Sequence, residues 1–256
     1  MISSIKSART LGLAGMMVAV ALMVVASVGV ASSSAAEWGE CFSQAGGAYK
    51  DGLCNEKTGG SFEWEAFAAP VEVKSKGRLE LTDEKGGPFS EAVTVRCPKN
   101  SEAEGLNKGT VGPGSTDEIT EVTDAAGKTT IECERVAGTC PAPVTATAVH
   151  LPWHTKLIVV NGEIRDELVS GTAKEGEPAG SEPGWTVKCS SVTDTCERQG
   201  TEAHQNTAVS NVTGGVDTTF DAKSTNVHCS RGGTGKGKVR GTVHVLNPTG
   251  VVLSVK

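Results

Sequence analysis

Residues 156–169 read KLIVVNGEIRDELV. Two β-rich, alternating runs flank Asn161-Gly162, the dipeptide best suited to both positive-φ positions of a type I′ turn. The stretch predicts a β-hairpin. The same pattern extends outward. GRLELT (77–82), AVTVR (92–96), EITEV (118–122) and KTTIEC (128–133) also alternate. KVRGTVHVLNPTGVVLSV (238–255) predicts a second hairpin turning at Asn247 to Gly250.

Beyond the first 36 residues, no segment sustains apolar spacing at i, i+3, i+4 and i+7. Little helix is expected. Val, Ala and Thr must fill most of the core, and β-branched side chains pack well on a pleated surface. About a dozen strands are expected, which fits an all-β, disulfide-stapled antiparallel sandwich or irregular barrel. Residues 171–184 (GTAKEGEPAGSEPG) have the Gly, Pro and Glu content of an exposed loop.

Residues 1–36 predict a secretory signal peptide. Lys6 and Arg9 precede the uncharged run Leu11 to Val30, and Ser34-Ala35-Ala36 gives small residues before Glu37. The run is also long enough to span a bilayer, so an uncleaved anchor is the alternative. If the leader is cleaved, no membrane span is expected in the mature chain. Secretion or association with the cell surface follows.

The chain carries 24 basic and 30 acidic side chains, net −6. Losing Lys6 and Arg9 with the leader takes this to −8. Such a surface repels phosphate backbones, so nucleic acid is not an expected partner.

Of the ten aromatic residues, Trp38, Phe42, Tyr49, Phe62, Trp64 and Phe67 crowd into one short stretch. Residues 37–70 are therefore read as a small stapled β module with an aromatic core, and residues 71–256 as the all-β domain. So short a segment buries little surface alone and must dock on the rest.

The eight cysteines are an even set in an exported chain, the signature of four disulfides. Spacing favours Cys41–Cys54, Cys133–Cys140 and Cys189–Cys196, which leaves Cys97–Cys229 as a long-range tie. CERVAGTC (133–140) and CSSVTDTC (189–196) share C-x-x-V-x-x-T-C, which raises the idea of an old duplication. Zinc and redox motifs favour the shorter C-x-x-C spacing.

Several pieces carry a resemblance. They are LPW (151–153), Thr155-Lys156-Leu157, Arg165-Asp166, GWTVKC (184–189), DTC (194–196), Phe220-Asp221 and CSRGG (229–233). The N-terminal WGECFSQAGGAYKDGLCNEKTGGSFEW (38–64) has the same flavour. Together they resemble a family of uncharacterised exported actinobacterial proteins. The resemblance covers most of the mature chain in short pieces and implies a bacterial source, secretion and disulfides. No activity is established for that family, so it supplies no catalytic residues.

Motifs with possible chemistry are few. HLPWH (150–154) offers His150 and His154 as metal ligands. Pro152 opposes the helix that would bring them together, and on a strand they stand about 13 Å apart. The competing expectation is a strand start, with Trp153 packed on the core and both imidazoles near solvent. GGTGKGKV (232–239) approaches a phosphate loop, but Val239 stands where Ser or Thr would hold magnesium. Glu63 and Glu65 share one face of FEWE, yet glycosidase carboxyls usually face each other across a cleft from different elements. There is no G-x-S-x-G elbow. Asn211-Val-Thr213 is a glycosylation sequon, incidental in a bacterial-type chain.

No catalytic residue or cofactor is therefore assigned. The expected role is non-catalytic binding or a structural part at the cell exterior, with a surface glycan or protein as partner. Trp38, Tyr49, Trp64 and Trp153 are the candidate binding aromatics. Two rivals stand beside it. One is an extracellular hydrolase acting on carbohydrate or protein, with His150, His154 or His204 beside a carboxylate in a cleft. The other is a disulfide-rich protease inhibitor presenting the 171–184 loop.

Overall fold

The computed structural model describes residues 36–84, 88–89, 91–100, 105–169, 182–198, 205–221, 227–229 and 235–256. The leader lies outside these except for Ala36, which is packed in the core. His204 and most of the 171–184 loop also lie outside. Residues Ser34–Lys256 form one compact unit.

Among the described residues there are eighteen strands and no helix. The first nine are β1 (Trp38–Gly47), β2 (Gly60–Ala66), β3 (Val71–Asp83), β4 (Val93–Cys97), β5 (Gly105–Val111), β6 (Thr116–Thr123), β7 (Thr130–Glu132), β8 (Glu134–Ala137) and β9 (Val144–Val149). The others are β10 (Trp153–Val160), β11 (Glu163–Val169), β12 (Gly184–Cys189), β13 (Val192–Arg198), β14 (Gln205–Val212), β15 (Gly215–Asp221), β16 (Val227–Cys229), β17 (Gly235–Leu246) and β18 (Leu253–Val255).

Eight of them close a ring in the order β3-β5-β6-β10-β11-β14-β15-β17, and β17 pairs back onto β3. Every pairing is antiparallel. Of the two architectures expected, this is the barrel. Closure removes the exposed edges that an open sheet would carry. The expected hairpin at Asn161-Gly162 forms β10 and β11. Val160 pairs with Glu163 across Asn161 and Gly162, at φ 54 and 82, as a type I′ turn requires.

β3 and β17 are longer than the ring needs. They stay paired from Lys74↔Leu246 to Asp83↔Gly237, and their far halves carry a second sheet in the order β8-β4-β3-β17-β16-β13-β12-β9-β7. Where the ribbon leaves the ring, Gly241 sits at φ 132 facing Leu79; a Cβ there would lie 2.5 Å from the Arg78 carbonyl oxygen. Only glycine permits that approach.

The second sheet curls until its two edges meet. β7 and β8 are consecutive around Cys133, and the Lys99 amide, just past β4, donates to the Glu132 carbonyl at 2.8 Å. Three disulfides lie in its core: Cys97–Cys133, Cys140–Cys189 and Cys196–Cys229. The fourth, Cys41–Cys54, is the short staple expected in the N-terminal module.

Three expected pairings, Cys133–Cys140, Cys189–Cys196 and Cys97–Cys229, are therefore corrected. Proximity in sequence misled because Cys133 and Cys140 lie beyond opposite ends of β8, and Cys189 and Cys196 stand on different strands, β12 and β13. Cys196 and Cys229 face each other directly across β13 and β16. Cys140–Cys189 ties the two similar segments to one another. By the chain-entropy estimate, loops of 36, 49 and 33 residues are worth roughly 4 kcal/mol each, well above the short loops first paired.

The second expected hairpin is also corrected. Asn247 to Gly250 does turn, with the Gly250 amide donating to Asn247 at 3.2 Å. The chain then crosses away, and β18 pairs with β1, not β17. The N-terminal sheet is thus β18-β1-β2, completed by the C-terminus. Leu253 and Val255 enter the end of the barrel beside Trp38, Leu157 and Val216.

Candidate functional site: the barrel interior

Inward positions of the ring strands divide the interior into three levels. At the end nearest β1 and β18, Trp38, Val111, Leu157, Val216, Leu253 and Val255 form a close-packed plug. The plug is held by backbone: Trp38 donates to the Gly114 carbonyl, and Leu157 to that of Ser115. The Asn211 side chain stitches β18 in place, accepting from the Val255 amide at 2.8 Å and donating to its carbonyl at 3.2 Å. The sequon asparagine therefore has a structural task.

Next comes a polar belt of Ser75, Asp117, Thr155, Asp166, Thr207 and Thr218. Its continuity follows from register. Asp117 faces Thr155 across β6 and β10, and Asp166 faces Thr207 across β11 and β14. The Thr155 hydroxyl donates to Asp117 Oδ1, and β10 carries Thr155 between Asp117 on β6 and Asp166 on β11. Thr207 is anchored to the Asp166 backbone: its hydroxyl donates to the carbonyl and accepts from the amide at 3.1 Å.

Above the belt is a cavity of about 240 Å³ that continues from the ring onto the inner face of the second sheet. Its wall is mainly apolar. Ile119, Val122, Trp153, Leu168 and Phe220 come from the ring; Ile131, Ala146 and Trp185 come from the second sheet. Both carboxyls of the belt line it.

Removal from water penalises ionisation, so burial is the main force on both acids. Asp117 is held well above the ordinary carboxylate range, by burial and then by the neighbouring Asp166 charge; the Thr155 hydroxyl opposes. Asp166 is pushed up to about 6, again chiefly by burial, with Thr155 opposing and Glu167 adding repulsion. Asp166 Oδ1 is buried with no hydrogen-bond partner within the protein, as is Trp185 Nε1. Such groups are costly to leave unpaired.

This arrangement can receive a molecule with an apolar body and a group that satisfies acceptors. No histidine is among the described residues that line it.

The candidate residues from sequence separate. Trp38 is the plug and Trp153 a wall of the cavity; Trp153 Nε1 donates to the Val149 carbonyl at 2.7 Å. Tyr49 packs with Cys41 and Cys54, its ring covered by Lys256 Nζ at 4.2 Å from the centroid. Trp64 packs on the same small cluster. Glu63 is spent on backbone, accepting from the Ala48 amide at 2.9 Å, while Glu65 is exposed.

His150 is exposed, with Nδ1 2.9 Å from the Glu182 carbonyl oxygen and 3.4 Å from Glu197, and His154 is half-buried. Neither joins a cluster of ligating side chains among the described residues. Gly235 to Val239, the end of the glycine-rich motif, is strand β17. Among the described residues, the one cluster of ligand type is Asp83 with Cys196 and Cys229. Its sulfurs are joined to each other, and metal ligation needs thiolates.

Compared with known proteins, the chain matches no family model, no curated protein and no solved structure. Function must be read from the barrel itself.

Proposed function

We propose that this is an exported protein that binds a small, mainly apolar molecule inside its barrel, without transforming it. The observation that carries the reading is the apolar-walled cavity, closed at one end by the Trp38–Leu253 plug. A ring with side chains to spare fills its own centre; here eight strands leave a space of ligand size. Secretion is part of the proposal. The leader pattern of residues 1–36 supports it, and four disulfides suit an oxidising compartment. The resemblance to exported actinobacterial proteins favours the same location.

A neutral apolar dye such as N-phenylnaphthylamine tests the reading on the disulfide-intact protein. The expected result is saturable fluorescence enhancement at one site. Leu168→Trp, which fills the cavity from its wall, should weaken it at least tenfold while circular dichroism stays unchanged. Absence of any saturable enhancement with the native protein overturns the reading.

A further inference from the structure

We infer that the ligand of this cavity is a cationic amphiphile: an apolar body ending in one protonated amine, which sits against Asp117 and Asp166. The inference rests on the cavity reading above and adds the charge of the ligand. The wall is one-sided in its chemistry. At belt level it presents the carboxyls of Asp117 and Asp166 and several hydroxyls, and elsewhere it is mainly hydrocarbon. The one cation among the described lining residues, Lys108, is spent on Glu121, with Nζ 2.8 Å from Oε2 on the exposed side of the sheet.

Two acids facing one apolar space repel each other and lack a counter-charge. Replacing such a pair with packed hydrocarbon would ordinarily cost nothing or stabilise. The pair acquires a purpose if a cation arrives. An ammonium beside Asp166 supplies donors for the unpartnered Oδ1 and allows the carboxylate to ionise without an unpaired buried charge. Thr155 donates to Asp117, and its strand β10, paired with β6 on one side and β11 on the other, holds the two acids in place beforehand. The chain's net charge of −6 also draws cations toward it. A fatty acid would bring a third carboxylate to the same belt, and the site rejects it.

Three probes with one hydrocarbon chain decide the matter: octylamine, octanol and octanoate, each competing with the neutral dye at pH 7. Octylamine should bind at least tenfold tighter than octanol, and octanoate weaker than either. Asp166→Asn and Asp117→Asn, close in shape to the wild type, should each lower octylamine affinity several-fold and leave octanol unchanged. Equal binding of the three, or preference for octanoate, overturns the charge assignment while leaving the apolar cavity standing. Failure of all three to displace the dye overturns the assignment of the dye site to this cavity as well.

Discussion

Asp83 and Asp194 are neighbouring carboxyls in the core of the second sheet, 1% and 2% exposed. Two carboxyls buried so close together favour keeping a proton over carrying two charges. Burial first, and then the Asp194 carboxyl beside it, push Asp83 up to about 8. The linkage sign follows. A folded pKa above the unfolded 3.8 means that the folded state keeps a proton the unfolded state has lost. Stability from this pair is complete below pH ~4, and is lost as pH rises towards 8, at up to about 1.4 kcal/mol per pH unit. Asp117 and Asp166 act in the same direction. Urea denaturation should show a protein more stable at pH 5 than at pH 8, and Asp83→Asn should remove part of that difference by raising stability at pH 8.

The crosslinks make a second prediction. Non-reducing peptide mapping should recover Cys97 with Cys133, Cys140 with Cys189 and Cys196 with Cys229. Replacing Cys196 and Cys229 together by serine should cost about 3–4 kcal/mol. The same change at Cys41 and Cys54, which close a loop of 13 residues, should cost less, since the closed loop is shorter.

Much of the barrel was visible in the alternation and in one turn. The cavity's acids were visible too, though unread. Carried through the Asn161-Gly162 turn, register sets Asp166 opposite Leu157 on the inner face. Asp83 likewise falls two residues after the inward Leu81, in the phase of Leu79 and Leu81. An acid in the apolar phase of a strand is the signal that would have found both. Cysteine pairing was not legible, because it depends on which distant strands become neighbours. β13 meets β16 only after the chain has returned through β14 and β15. The crossing of β18 to β1 was hidden for the same reason: Asn247 to Gly250 carries a local turn, and nothing local says which strand follows it.

The turn at the centre of the barrel hairpin allows a clean test of backbone preference. Gly162 has φ 82, and a Cβ built there meets no atom within 4 Å. Gly162→Ala therefore loses no packing and makes no clash; its cost is conformational. A loss of roughly 1 kcal/mol or somewhat more is expected in denaturant unfolding. Asn161→Gly, at φ 54, should change stability by a few tenths, since glycine tolerates the same region.

The plug makes the last prediction, one that separates stability from binding. Leu253 is 1% exposed and stands three residues from the C-terminus, in a strand paired with β1. Its side chain packs with Trp38 and Val216 at the closed end of the barrel, below the polar belt. Leu253→Ala should cost about 2–5 kcal/mol, from lost transfer energy and the space left behind. Trp38 is the indole nearest that space, so its emission should shift to longer wavelength as water reaches it. Leu253 itself is not among the lining residues of the cavity, although Trp38 and Val111 of the plug are. Dye affinity of the fraction that remains folded should therefore stay within about threefold of wild type, a difference below ~0.7 kcal/mol. Leu168→Trp should do the reverse, sparing the plug and blocking the dye.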